Sequence, residues 1–102
     1  MKKIKIALIG NVHDHALANF SVLKSHPEVF DVVGVCNLVP GKDESSYANE
    51  KTFTMQQLLD MDELDAVLIE SGKENEVYDA QKFAAAGKAL FFDKPGSSIW
   101  EE

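Results

Sequence analysis

Apolar residues are distributed along this chain in short dense runs, separated by stretches with a helical rhythm. Lys3 to Ile9 is mostly β-branched or aliphatic and stops at Gly10, the pattern of a buried strand. From His15 the spacing changes: Ala16, Phe20 and Leu23 recur at helical intervals, and Pro27 ends the pattern. Phe30 to Cys36 is the next strand, ended by Asn37. The polar segment from Leu38 to Thr52 carries the turn signal Pro40-Gly41, with Glu44 to Lys51 expected as a short helix. Met55, Leu58 and Leu59 suit another helical turn or two, with Thr54 as its cap. Asp65 to Glu70 is a further strand. The helix after it places Val77, Ala80, Phe83 and Ala84 on one face and Gly87 at its end. Ala89 to Phe92 is the last clear strand, with Phe91 and Phe92 expected in core or sheet packing. Ser98-Ile99-Trp100-Glu101 has capping-box spacing, so a new helix is expected there, with Trp100 unusually exposed.

Strands alternating with helical segments of about 10–15 residues indicate βαβ units and a parallel sheet. Four strands are clear and a short fifth is expected near Thr52-Phe53. The expected fold class is α/β: a three-layer, doubly wound parallel sheet, truncated after the fifth strand. In such open sheets ligands bind outside the carboxyl ends of the strands. Gly10 follows one strand, Ser71-Gly72 another, and Asp93-Lys94-Pro95 the last, so all three point to one crevice.

Composition narrows the setting. A chain of 102 residues is one domain at most. Ten basic against seventeen acidic residues give a formal charge of −7, which argues against nucleic-acid or anionic-membrane partners. It leaves a phosphorylated ligand open, because backbone N–H groups at a helix start can hold phosphate without side-chain charge. No apolar run approaches the roughly 20 residues of a membrane span. The single cysteine, Cys36, excludes an internal disulfide and suits a reducing compartment, so the expected location is cytoplasmic.

The run Lys-Ile-Ala-Leu-Ile-Gly at 5–10 and the strand ending Val35-Cys36-Asn37 are two parts of a larger pattern. Leu58-Leu59 before Leu64-Asp65-Ala66-Val67-Leu68-Ile69 is a third. Ala86-Gly87-Lys88 leading to Asp93-Lys94-Pro95 completes it. Together these motifs resemble the N-terminal Rossmann domain of the glucose-fructose oxidoreductase, inositol dehydrogenase and rhizopine-catabolism family of NAD(P)-dependent oxidoreductases. The resemblance covers essentially residues 1–102 and implies a Rossmann-like sheet in the order 3-2-1-4-5, without its sixth strand. It also implies NAD or NADP as cofactor, and a sugar, polyol or related hydroxy compound as substrate. Family members continue into a second domain that supplies most of the substrate pocket, so the chain is not expected to be catalytic alone.

The resemblance implies cofactor-binding roles for Gly10, Asn11, Val12, Asn37, Ser71, Asp93, Lys94 and Pro95. Lys94 is the candidate catalytic residue, a cation placed to stabilise a developing alkoxide or assist proton transfer. Three departures stand out. Gly10-Asn11-Val12-His13-Asp14-His15 keeps only the first glycine of G-x-G-x-x-G. Asn37 stands where an acid usually holds the ribose hydroxyls. Asp93 replaces the commoner glutamate. The acidic stretch Lys73-Glu74-Asn75-Glu76 would not help a diphosphate. These departures leave a second possibility, a cofactor-free module with a ligand-sensing or assembly role.

Other chemistry reads as bland. His13-Asp14-His15 offers too few ligands for a metal site, and no metal is expected. His26 suits an exposed helix end and Cys36 a small buried hydrophobe. An uncovered sheet edge favours self-association, so a homo-oligomer is expected.

Overall fold

The computed structural model describes residues 3–12 and 16–92, leaving aside the side chains of 73–76 and 92. Nine elements follow one another: β1 Ile4–Ile9, α1 Ala16–Lys24, β2 Phe30–Cys36, α2 Glu44–Tyr47, β3 Thr52–Phe53, α3 Met55–Leu59, β4 Ala66–Ile69, α4 Lys73–Ala85 and β5 Ala89–Phe92. The five strands form a single sheet in the order β3-β2-β1-β4-β5, every pairing parallel. That is the order expected from the sequence, with β1 central and the chain reversing direction across the sheet between β3 and β4.

The sheet is buried on both faces. On one, Ile6, Leu8, Ala66 and Leu68 pack with Phe20 and Leu23 of α1 and Tyr47 of α2. On the other, Ala7, Ile9, Val67 and Ile69 pack with Leu58 of α3 and Phe83 of α4. Successive residues of β1 and β4 therefore serve opposite layers, which is why these strands read as continuous apolar runs. The register of β1 against β2 slips between Ile6 and Ala7, so Val33 has no partner opposite it. The bulge lets Val32 and Val35, three apart, serve the same face.

The helix ends are well specified. Thr54 Oγ1 accepts from the Gln57 N–H at 3.1 Å, and Gln57 Oε1 accepts from the Thr54 N–H at 2.8 Å, a reciprocal capping box. At the end of α4 the Gly87 N–H bonds the Ala84 carbonyl and the Lys88 N–H bonds that of Phe83. This is a Schellman closure, with Gly87 at φ 82°.

Four expectations need correction. The helix within 44–51 is only Glu44–Tyr47. The strand expected over 65–70 is Ala66–Ile69. Phe91 lies on edge strand β5 and is 38% exposed, so it is only half in the core. The buried face of α4 is also turned from the one expected. Val77 is 51% exposed and Ala84 is exposed, whereas Asp79 and Phe83 face inward. Residues four apart share a helix face, and Phe83 against the sheet carries Asp79 in with it. The expected helix at 98–101 and the exposure of Trp100 lie outside the described residues.

Candidate functional site

The carboxyl ends of β1, β2 and β4 meet at Gly10. Its N–H donates to the Cys36 carbonyl at 2.7 Å, and the Glu70 N–H donates to the Ile9 carbonyl at 2.8 Å. Gly10 holds φ +77°, and a Cβ built on it would lie 2.7 Å from Ser71 Cα and 2.9 Å from Ser71 Cβ. Only glycine satisfies both the backbone conformation and this close approach. The chain then turns across the sheet edge, with the Val12 N–H donating to the Glu70 carbonyl at 2.9 Å.

Asn11 is fully buried. Its Oδ1 accepts from the Val39 N–H at 2.6 Å and its Nδ2 donates to the Lys42 carbonyl at 3.1 Å. The amide thus straps the 38–42 loop to the end of β1, and any ligand contact at this position falls to its backbone. Lys42 Nζ donates to the Val12 carbonyl at 2.7 Å and closes the same strap from the other side. Val12 is 47% exposed, its side chain standing at the rim. Asn37, exposed at the end of β2, adopts φ +55°, a left-handed conformation that asparagine tolerates better than most residues.

Two cavities open beside this junction. The larger, about 720 Å³, runs over the ends of β2 and β3 between the 37–42 loop and the start of α3. The smaller, about 370 Å³, lies between Val12, Asn37 and Met55 on one side and Ser71, Asp79 and Lys82 on the other. Asn37 and Met55 line both, so the two adjoin. Ser71 is 7% exposed, and its Oγ is buried without a hydrogen-bond partner among the described residues. Asp79 is equally buried.

Two further groups at this end of the sheet were not singled out from the sequence. Glu70 is fully buried on the α1 side, and its Oε2 accepts from Asn19 Nδ2 of α1 at 2.8 Å. Asp79 comes from α4 on the opposite face. Their only local signal is an acid at the end of an apolar run and one four residues before Phe83. Burial pushes the Cys36 thiol up to about 11, with the Asp79 charge adding to it. Burial likewise pushes the Tyr47 hydroxyl up to about 12, helped by Asp43 and Glu70. Cys36 is thus a buried, protonated thiol, as the sequence suggested.

Of the residues singled out from sequence, Gly10, Asn11, Val12, Asn37 and Ser71 come together here. Asp93, Lys94 and Pro95 lie outside the described residues, as does His13-Asp14-His15. His26 is exposed, with Nδ1 3.4 Å from Glu28 Oε2. Among the described residues no group of three or more His, Cys, Asp or Glu side chains is arranged to hold a metal ion. No helix among them is long and apolar enough to cross a membrane.

No family profile matches this chain and no curated protein matches it. Solved structures do. One is the WlbA dehydrogenase from Bordetella pertussis, determined with NADH and UDP-GlcNAcA (TM-score 0.72, 18% identity over 92% of this chain and 29% of that one). A second is an NAD-binding protein from Listeria innocua (TM-score 0.76, 20% identity, 93% of this chain and 27% of that one). A third is a proposed myo-inositol dehydrogenase from Sinorhizobium meliloti 1021 (TM-score 0.70, 22% identity, 90% of this chain and 28% of that one). The present chain spans less than a third of each of these chains. Identities this low establish a shared fold, and that fold is the Rossmann-like sheet expected from the sequence.

Proposed function

We propose that this chain is the dinucleotide-binding domain of an NAD(P)-dependent oxidoreductase. The observation that carries the proposal is the junction at Gly10. There a positive-φ glycine packs directly on Ser71 at the carboxyl ends of β1 and β4, beside a cavity holding a buried hydroxyl that has no partner among the described residues. Such a junction, next to the strand where the sheet order reverses, is where open α/β sheets admit a nucleotide. Two of the similar structures are described as NADH-bound or NAD-binding, which supports the same cofactor class here.

The residues fit the group. Gly10 lets the ends of β1 and β4 close on each other beside the cavity, Asn37 offers donor and acceptor to ribose hydroxyls, and Ser71 offers a hydroxyl without a partner among the described residues. When bound, the nicotinamide would give or take a hydride. The chain's own part is to bind and orient. Asn11 and Lys42 fix the loops on either side of the crevice, and Lys94 is the cation proposed to face the reacting carbon, with Asp93 and Pro95 beside it. A sugar, polyol or related hydroxy compound is the proposed substrate, held largely by a second domain. The isolated chain should therefore turn over nothing. A cytoplasmic setting and self-association through the β5 edge belong to the same proposal.

The test is a calorimetric titration of the folded chain with NAD⁺ and, separately, NADP⁺. Saturable binding of either supports the proposal. No binding of either supports a cofactor-free sensing or assembly module. The exposed Val12 side chain at the loop and the Lys42 strap on its carbonyl favour that second reading.

A further inference from the structure

Helix α4 buries an acid on the face that Phe83 turns toward the sheet. Asp79 lies four residues before Phe83, the fully buried anchor of α4, and is itself only 7% exposed. Buried carboxylates are rare without a partner or a task. Asp79 lines the smaller cavity together with Ser71, whose buried Oγ has no hydrogen-bond partner among the described residues. The influence of Asp79 extends inward as well, since its charge adds to the burial that holds the Cys36 thiol protonated.

The larger cavity has a different character. Three of its polar side chains bond the protein itself, Lys42 to the Val12 carbonyl, Glu44 to the Gly41 N–H and Thr54 to the Gln57 N–H; the Tyr47 hydroxyl there has no partner among the described residues, and its acid, Glu44, is exposed. The smaller cavity sets the Ser71 hydroxyl, without a partner among the described residues, and the buried Asp79 beside apolar surface. Val12 and Met55 supply apolar surface, and Tyr78 stands at the outer edge with Lys82 Nζ 4.5 Å from its ring centroid. A carboxylate accepts hydrogen bonds and donates none, so its complement is a flat group carrying N–H donors on one edge.

We propose that the smaller cavity takes the adenine base of the dinucleotide, and that Asp79 reads its exocyclic amino group. This deepens the proposed function and rests on it. Ribose would lie over Asn37, which lines the same cavity, and the Ser71 hydroxyl would donate to a ring nitrogen of the base. Asp79 is then a specificity-determining residue. Its carboxylate favours a base with an amino group at this edge and repels one with a carbonyl oxygen there.

The test compares NAD⁺ with nicotinamide hypoxanthine dinucleotide, in which that amino group is replaced by a carbonyl oxygen. Calorimetric Kd values are measured for the wild-type chain, Asp79→Asn and Ser71→Ala. Wild type should bind NAD⁺ on the order of tenfold more tightly, because the hypoxanthine oxygen leaves the buried carboxylate unpaired. Asp79→Asn should collapse or invert the ratio, since its amide can turn a donor toward the oxygen. Ser71→Ala should weaken both dinucleotides several-fold and keep the ratio. Equal wild-type affinities would overturn the base assignment and leave dinucleotide binding standing. Failure to bind either dinucleotide would overturn both. The wild-type ratio decides the matter even if Asp79→Asn unfolds. In a folded Asp79→Asn, an unchanged ratio would also overturn the proposal.

Discussion

Replacing Gly10 with alanine isolates the contact on which the site is built. Two penalties add. An alanine held at φ +77° sits in the left-handed region, at about 1–2 kcal/mol. Its Cβ would also lie 2.7 Å from Ser71 Cα, 2.9 Å from Ser71 Cβ and 3.1 Å from Ser71 N. Two of these three atoms are backbone, so no rotamer change relieves the clash. Strands β1 and β4, which pair directly, must part at their carboxyl ends. Overpacking of this kind adds about 1–3 kcal/mol. The expected loss is therefore about 2–5 kcal/mol, a large share of the roughly 5–15 kcal/mol of a typical domain. At ~4–8 °C per kcal/mol for a chain of this size, Tm should fall by roughly 8–40 °C.

Gly41 provides the control, because its φ is +81° and a Cβ there would meet nothing within 4 Å. Gly41→Ala should show the strain penalty alone, about 1–2 kcal/mol. Urea unfolding of both variants, with equal m values, separates the two contributions. Equal losses in Gly10→Ala and Gly41→Ala would refute the close-packing explanation and leave Gly10 an ordinary turn residue.

Asn11→Ala removes the bonds to Val39 and Lys42 and leaves those backbone groups short of partners. It should cost about 2–4 kcal/mol in urea unfolding and speed hydrogen exchange at the Val39 amide. Tyr47→Phe has the opposite sign. The Tyr47 Oη is buried without a partner among the described residues, so deleting it should be neutral or stabilise by up to about 1 kcal/mol. Stability should also fall at alkaline pH. The Cys36 thiol is raised from 9.0 to about 11, and the Tyr47 hydroxyl from 10.0 to about 12. The unfolded chain therefore loses these protons first, and the stability present below pH 9.0 drains away as pH climbs through about 11 and 12. Cys36→Ala should flatten the lower part of that fall in denaturant titrations across this range, and Tyr47→Phe the upper part. Native Cys36 should resist thiol reagents at pH 8 until the chain is unfolded, which a timed labelling experiment with and without urea measures.

The parallel sheet was legible because strands buried on both faces are continuous apolar runs, and Ile6 to Ile9 and Ala66 to Ile69 are such runs. Gly87 and Thr54 were legible because end signals act over three or four residues. Residues whose role is set far along the chain were harder to read. Asn11 stands in a nucleotide-type loop, yet its side chain bonds residues 28 and 31 positions away, which no local pattern encodes. The face of α4 was misread for a related reason. Counting apolar residues favours Val77 and Ala84, but sheet packing is set by Phe83, which carries Asp79 inward. A charged residue in sequence reads as solvated, so Glu70 and Asp79 gave no warning of their burial.

The two buried acids share an explanation that neither has alone. Glu70 reaches the α1 layer and Asp79 belongs to the α4 layer, so they flank the Gly10–Ser71 contact from opposite faces of the sheet. A chain with a net charge of −7 thus adds negative charge beside a crevice proposed to take a diphosphate. Coulomb repulsion over such distances opposes an anion, more strongly in a partly buried site than in water. Charge attraction is therefore a poor candidate for the driving force of binding. What remains is hydrogen bonding to neutral, donor-bearing parts of the ligand. Local rules tend to be broken at functional sites, and here two breaches converge on one junction. In the proposed site Asp79 would then select the adenosine end of the cofactor, and tolerance of its phosphates would fall to the backbone.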